Sequence, residues 1–248
     1  MLFRSLSIDP EFVDASFLYI KPTIAVRYNS RATTLSAVAV QTKVTNAIIN
    51  FENTKLGTFD SNRFRYSQFI QSIDAADSSI VSNLTLITIE RRFVPSLTTS
   101  STYNINFNNA LNHPHAGHKY IISSSAFTYQ NQTCYFDDDG NGNLRIYYLL
   151  NSTRVYLNQT AGLVNYISGL VTVSSFLPTA FVGSALSIFA DPTNNDVNAV
   201  RNQILLIAGA TVSIVDDTTT IVAANTVTAT TTGVTTQNSG SSISPSVY

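Results

Sequence analysis

Leu56–Pro95, LGTFDSNRFRYSQFIQSIDAADSSIVSNLTLITIERRFVP, changes period part-way along, and the change decides the fold. Gly57 ends one helical pattern. Ser67 opens another, whose apolar positions Phe69, Ile70, Ile73, Ala76 and Ile80 recur at three and four residues and predict a helix as far as Asn83. Beyond it, Leu84-Thr85-Leu86-Ile87-Thr88-Ile89 alternates with period two and predicts a strand. The helix must lay its stripe on something apolar, and that strand is the nearest candidate. At about 100° per residue Asp77 falls inside the stripe, between Ile70 and Ile73, with Asp74 at its edge. A carboxylate so placed needs a cation or several donors. The expected role is a structural ion pair, backbone hydrogen bond or interface contact, with Arg63, Arg65 or Arg91 as cation. An acid/base pair of Asp74 and Asp77 is the sharper alternative, but no His, Lys or Glu accompanies them within the helix. Asp77, Asp74 and Arg65 are therefore structural or interface candidates, and no residue is read as catalytic.

Upstream, Ile20, Pro22, Ile24, Val26 and Tyr28 alternate with polar or small residues as a half-buried strand. Pro22 cannot donate to a ladder, so the strand is expected at an edge or to begin pairing after residue 22. Thr33-Thr34-Leu35-Ser36 supplies capping hydroxyls for a helix with the stripe Ala37, Val40, Val44, Ala47, Ile48 and Phe51, stopping near Gly57. The first half thus reads strand, helix, helix, strand, and Tyr103–Phe107 is a candidate to complete its sheet. From about residue 119 short alternating runs separated by Gly, Asn and Asp predict an antiparallel, sandwich-like module, with one hairpin turning at Ser168-Gly169. A helical turn is expected at Asp196–Arg201. The predicted class is α+β: a tether at 1–15, an α+β domain at 16–110, a β-rich domain at 111–217, and a Thr/Ser-rich tail or arm at 218–248.

The totals exclude several functions. Charged residues make up 12% and the net charge is −1, with no basic cluster longer than Arg91-Arg92, so no nucleic-acid partner is expected. No window approaches the ~18 apolar residues of a membrane helix, and the N-terminus lacks the apolar length of a signal sequence, so synthesis in a cytoplasm is expected. The single cysteine, Cys134, sits in a strand-like run and reads as a packed thiol. There is no G-x-S-x-G, no H-E-x-x-H, no phosphate-binding glycine loop and no dinucleotide fingerprint. No enzyme activity, cofactor or small-molecule substrate is expected.

Two constellations remain. His113-Pro114-His115-Ala116-Gly117-His118 holds all three histidines, a spacing open to metal. No Cys, Asp or Glu lies nearby, and Pro114 and Gly117 mark a loop, so ordinary imidazoles are expected and His113, His115 and His118 stay secondary candidates. Asp137-Asp138-Asp139-Gly140-Asn141-Gly142 begins like a calcium loop, but Tyr148 occupies its twelfth position, where a bidentate carboxylate is required. A tight acidic hairpin turn is the expected account.

Several of these segments, Arg27–Ser36, Leu56–Phe59, Phe64–Ser67 and above all Ile73-Asp74-Ala75-Ala76-Asp77-Ser78-Ser79-Ile80-Val81-Ser82-Asn83, resemble the C-terminal part of the baseplate wedge proteins of T-even-type contractile-tailed bacteriophages. The His-Pro-His-x-Gly-His stretch, the acidic turn before Leu144, Val164-x-Tyr166-x-x-Gly169 and Arg201-Asn202-Gln203-Ile204-Leu205 are similar to the same family. The resemblance implies a late virion structural protein of the tail baseplate, an inner-ring wedge subunit that pairs with itself and binds other wedge proteins without catalysis. Family members carry a large N-terminal region with a long helix that this sequence lacks, so it reads as a truncated form, a divided gene product or an expressed fragment, and the ring-forming contacts are the ones expected to be retained. A different class of reading, a β-rich fibre- or adhesin-like module for a host surface, would call for a concave site rimmed by exposed aromatics.

Overall fold

The structure is a computed structural model that describes residues 14–58 and 63–217, so most of the tether and the whole tail lie outside the described residues. The N-terminal half contains β1 (Ser16–Tyr28), a 3-10 turn at Ser30–Ala32, α1 (Ala37–Lys55), β2 (Arg63–Phe64), α2 (Tyr66–Asp74) and β3 (Ile80–Phe93). There follow β4 (Ser101–Asn106), β5 (Ile122–Ser124), β6 (Phe127–Tyr129), β7 (Gln132–Asp138), β8 (Asn143–Leu150), β9 (Thr153–Asn165) and β10 (Leu170–Phe176). The last strands are β11 (Ala180–Phe181), β12 (Leu186–Ala190), β13 (Val197–Asn198), β14 (Gln203–Ile207) and β15 (Thr211–Asp216). The chain is therefore β-rich, with two α-helices among the described residues.

Two compact units share these elements. The larger draws on the described residues up to Pro22, on Phe51–Tyr66 and on Leu86–Ala210. Its main feature is an antiparallel sheet in the order β11-β6-β7-β8-β9-β10-β4. One face carries Phe127, Phe136 and Phe176, all at most 2% exposed, with Phe127 and Phe136 4.6 Å apart and each 5.1 Å from Phe176. Each such side chain contributes about 2–3 kcal/mol on burial. The predicted hairpin pairs Leu170 with Asn165 and Val171 with Val164. Gly169 takes φ +72° in its turn, where a Cβ would collide with Asn109 O. A second sheet in the order β14-β1-β3-β12-β5 joins the first through Ser124 Oγ, which accepts from Phe136 N at 2.8 Å.

The smaller unit comprises Thr23–Asn50, Ser67–Thr85 and the described residues from Thr211. Its part of β1 pairs in parallel with β15, Thr23 to Thr211 through Tyr28 to Asp216. Ser36 caps α1, its Oγ accepting from Ala39 N at 3.3 Å. The predicted stripe is buried at Val40, Val44, Ile48 and, beyond this unit, Phe51, whereas Ala37 and Ala47 stay half-buried. Gln41 donates to Val212 O at 2.7 Å, tying α1 to β15.

Four expectations are corrected. The second helix ends at Asp74 and β3 begins at Ile80, so Asp77 sits in the turn between them. Its carboxylate accepts from the backbone and hydroxyl of Ser79, two residues on, and this local alternative to helical bonding stops the helix. β1 is an interior strand rather than an edge. Ile20 pairs with Ile207 and Thr23 with Thr211, so the missing N–H of Pro22 falls opposite the break at Ala208-Gly209-Ala210, where no ladder bond is needed. Tyr103 lies in β4, which pairs with β10, while β12, β5, β14 and β15 complete the sheet around β1 and β3. The helical turn expected at Asp196–Arg201 is instead β13, paired with β2.

Candidate functional site

Three groups of candidate residues occupy separate places. In the smaller unit, Lys43 Nζ approaches Asp77 Oδ2 to 2.7 Å, while Oδ1 accepts from Ser79 N at 3.0 Å and Ser79 Oγ at 2.7 Å. Asp77 is 9% exposed, and the Lys43 contact followed by those from Ser79 holds its carboxyl down at about 2. The partner is Lys43 rather than Arg63, Arg65 or Arg91, because once the helix stops at Asp74 the carboxylate turns toward α1. Asp74 accepts from Asn83 Nδ2 at 2.6 Å on the surface. The two carboxylates thus hold separate donors, and nothing in this turn presents them as a joint acid/base pair. In the larger unit Arg65 reaches Asp196 at 3.3 Å, and Asp196 Oδ1 also accepts from Tyr66 N at 2.8 Å, the first residue of α2. A carboxylate at that helix start satisfies an N–H without an intrahelical partner. Neither Lys43 nor Asp196 carried a local signal, since each lies far along the chain from the residue it meets.

The histidine loop folds onto the acidic turn. His113 stacks on Tyr166, rings 4.3 Å apart and 4° from parallel, and His118 meets His113 edge-on at 4.9 Å. His118 is 6% exposed and its Nδ1 donates to Lys119 O at 2.7 Å; His115, exposed, donates likewise to Ala116 O at 3.0 Å. Gly117 N donates to Gly140 O at 2.9 Å, and Gly140 leaves no room for a side chain, since a Cβ would lie 2.5 Å from His118 N. Among the described residues no three His, Cys, Asp or Glu side chains are grouped to hold a metal ion.

The acidic turn is a β7–β8 hairpin whose three aspartates serve different neighbours. Asp138 is fully buried, its Oδ1 accepting from Ile121 N and Ile122 N at 2.7 and 2.8 Å and its Oδ2 from Tyr166 Oη at 2.8 Å. Burial and that hydrogen bond to Asp138 push the Tyr166 hydroxyl well above the usual phenol range. Asp137, also fully buried, accepts from Arg145 Nε at 2.9 Å, from Arg154 Nη1 and from Tyr156 Oη at 3.1 Å. Burial raises its pKa despite those partners. Asp139 closes the turn on Asn141 and Asn143. The sequence marked the three aspartates as an acidic hairpin turn, but nothing local marked Arg154 or Tyr166 as partners.

Beside the loop lies a concavity of about 520 Å³ between His113, Asn141, Asn165, Tyr166, Leu163 and Ile167. Its exposed apolar side chains are the aliphatic Leu163 and Ile167, while Tyr166 is 7% exposed. The exposed aromatic rim called for by a host-surface module is absent from this concavity.

Residues 16–92 match the family model described as baseplate structural protein gp6, C-terminal domain III. No curated protein matches the chain. The matched segment runs from the first residue of β1 almost to the end of β3, and so contains Lys43, Arg65, Asp74 and Asp77. The matching family is one of baseplate structural proteins, so the resemblance in Arg27–Ser36 and Ile73–Asn83 has an independent counterpart within this segment. The strands that fill out the seven-stranded sheet fall outside the match.

Proposed function

We propose that the chain is a non-catalytic structural component of a contractile tail baseplate, an inner-ring wedge subunit that pairs with itself and binds other wedge proteins in the virion. The observation that carries this reading is the match of residues 16–92 to the gp6 C-terminal domain. In this reading α1 and α2 form a layer on β1, β3 and β15, supported by the Gln41 to Val212 bond, and Asp77, Asp74 and Arg65 hold elements in place rather than turning over a substrate. Low charge favours permanent contact, because few ions need be desolvated when surface is covered.

Sedimentation velocity of the purified chain across micromolar concentrations tests self-pairing, with a concentration-dependent dimer expected and a strict monomer counting against it. Locating the chain in electron-microscope density of an intact particle tests the wedge assignment.

A further inference from the structure

The side of α1 turned away from its buried stripe has no role in the contacts described so far. Val40, Val44 and Ile48 are covered, whereas Val38, Thr42, Thr45, Asn46 and Ile49 on the opposite side are all exposed, Val38 at 70% and Ile49 at 50%. The outward side of an amphipathic helix is normally where its charges stand. None of these five is charged. At about 100° per residue Lys43 stands well round the helix from them, and Asp77 holds its ammonium at 2.7 Å. Both threonine hydroxyls are turned back on the helix: Thr42 Oγ1 donates to Val38 O and Thr45 Oγ1 to Gln41 O, each at 2.9 Å. Covering them strands no hydroxyl proton, and β-branched side chains have little rotamer freedom to lose.

The spacing indicates what covers this face. Val38, Thr42, Thr45 and Ile49 stand four, three and four residues apart, a pattern that reads the same in both directions. A twofold axis midway between Thr42 and Thr45 therefore sets Val38 against the Ile49 of a second copy, and Thr42 against its Thr45. That is the self-complementarity an isologous contact requires, and antiparallel helices also oppose their dipoles. We infer that α1 is the surface through which two copies of this chain pair, antiparallel, by Val38, Thr42, Thr45 and Ile49. The pairing rests on the self-association proposed above and gives it a place. From Val38 to Ile49 the stripe is about 17 Å long. One such helix pair covers less than the roughly 1,200 Å² of a stable interface, so the dimer is expected to be weak and concentration-dependent.

Sedimentation velocity of the full chain and its V38K/I49K variant tests the surface. Both positions are exposed and lysine is a good helix former, so the variant is expected to unfold at the temperature of the parent. The parent is expected to dimerise with rising concentration, and the variant to do so about tenfold more weakly or worse, because like charges then meet at both ends of the contact. Mixing V38K chains with I49E chains is expected to give more dimer than either alone, since the antiparallel arrangement brings the two new charges together. A parent dimer that V38K/I49K leaves unchanged overturns the inference, while self-pairing then stands on another surface. Failure of the V38K and I49E mixture to gain dimer also overturns it, in favour of a different occupant of the face. A parent that is monomeric throughout overturns self-pairing and this surface together.

Discussion

The turn after α2 and the hairpin between β7 and β8 each centre on aspartate, and the two shift in opposite directions. Asp77, 9% exposed, meets a half-exposed lysine, and the hydrogen bonds from Lys43 and Ser79 outweigh desolvation and hold its carboxyl at about 2. Asp137 is wholly covered, and burial raises it even though two guanidiniums and a tyrosine hydroxyl address it. At Asp77 the hydrogen bonds are the larger influence, and at Asp137 desolvation is. One carboxylate stabilises its fold by being ionised, and the other is a costly charge whose removal would strand further charges around it.

The comparison is tested most severely at Asp138, where Asp138→Ala leaves Ile121 N, Ile122 N and Tyr166 Oη without an acceptor. A loss of about 4 kcal/mol or more is expected in urea unfolding. Asp137→Asn, which leaves Arg145 and Arg154 over a neutral group, should cost about 3 kcal/mol by the same measurement. Asp77→Asn should cost about 1–2 kcal/mol, since Lys43 is half exposed and keeps its water. If Asp77→Asn matched Asp138→Ala, the half-exposed Lys43 would not be what softens the loss.

The pH dependence has a definite sign. A folded-state pKa below the unfolded one means that the Asp77 contribution is fully present above about pH 4 and is lost as pH falls toward 2. Thermal unfolding of the parent between those values should show this loss, and Asp77→Asn should remove it. The raised Asp137 acts the other way, its charge becoming less of a burden as it takes up a proton. The smallest effect is expected at Asp74→Ala, within about 0.5 kcal/mol in urea unfolding, because the bond from Asn83 is exposed.

Some of this was legible in the residues. The stripe at Val40, Val44, Ile48 and Phe51, the Ser36 cap, the strand at Ile20–Tyr28 and the turn at Ser168-Gly169 all express local rules, and a local rule can be read locally. Asp77 was marked as a carboxylate in need of partners, yet its position was misjudged, because an apolar stripe continuing through Ala76 and Ile80 does not reveal that a side chain has captured the Ser79 N–H. Its cation was misjudged for a different reason: Lys43 lies on α1, with nothing in its surroundings to announce the contact.

Taken alone, the sequence determined a β-rich chain with two helices, the turns at Ser168-Gly169 and in the Asp137–Gly142 run, and one carboxylate, Asp77, in need of partners. Tertiary structure decided that β1 lies between β3 and the returning β14 and β15, that β4 joins β10, and that Asp137 and Asp138 lie under other side chains. Periodicity records which face of an element is covered, whereas a ladder between residues 16–28 and 203–216 depends on closing a loop of most of the chain, and no short window of residues encodes that.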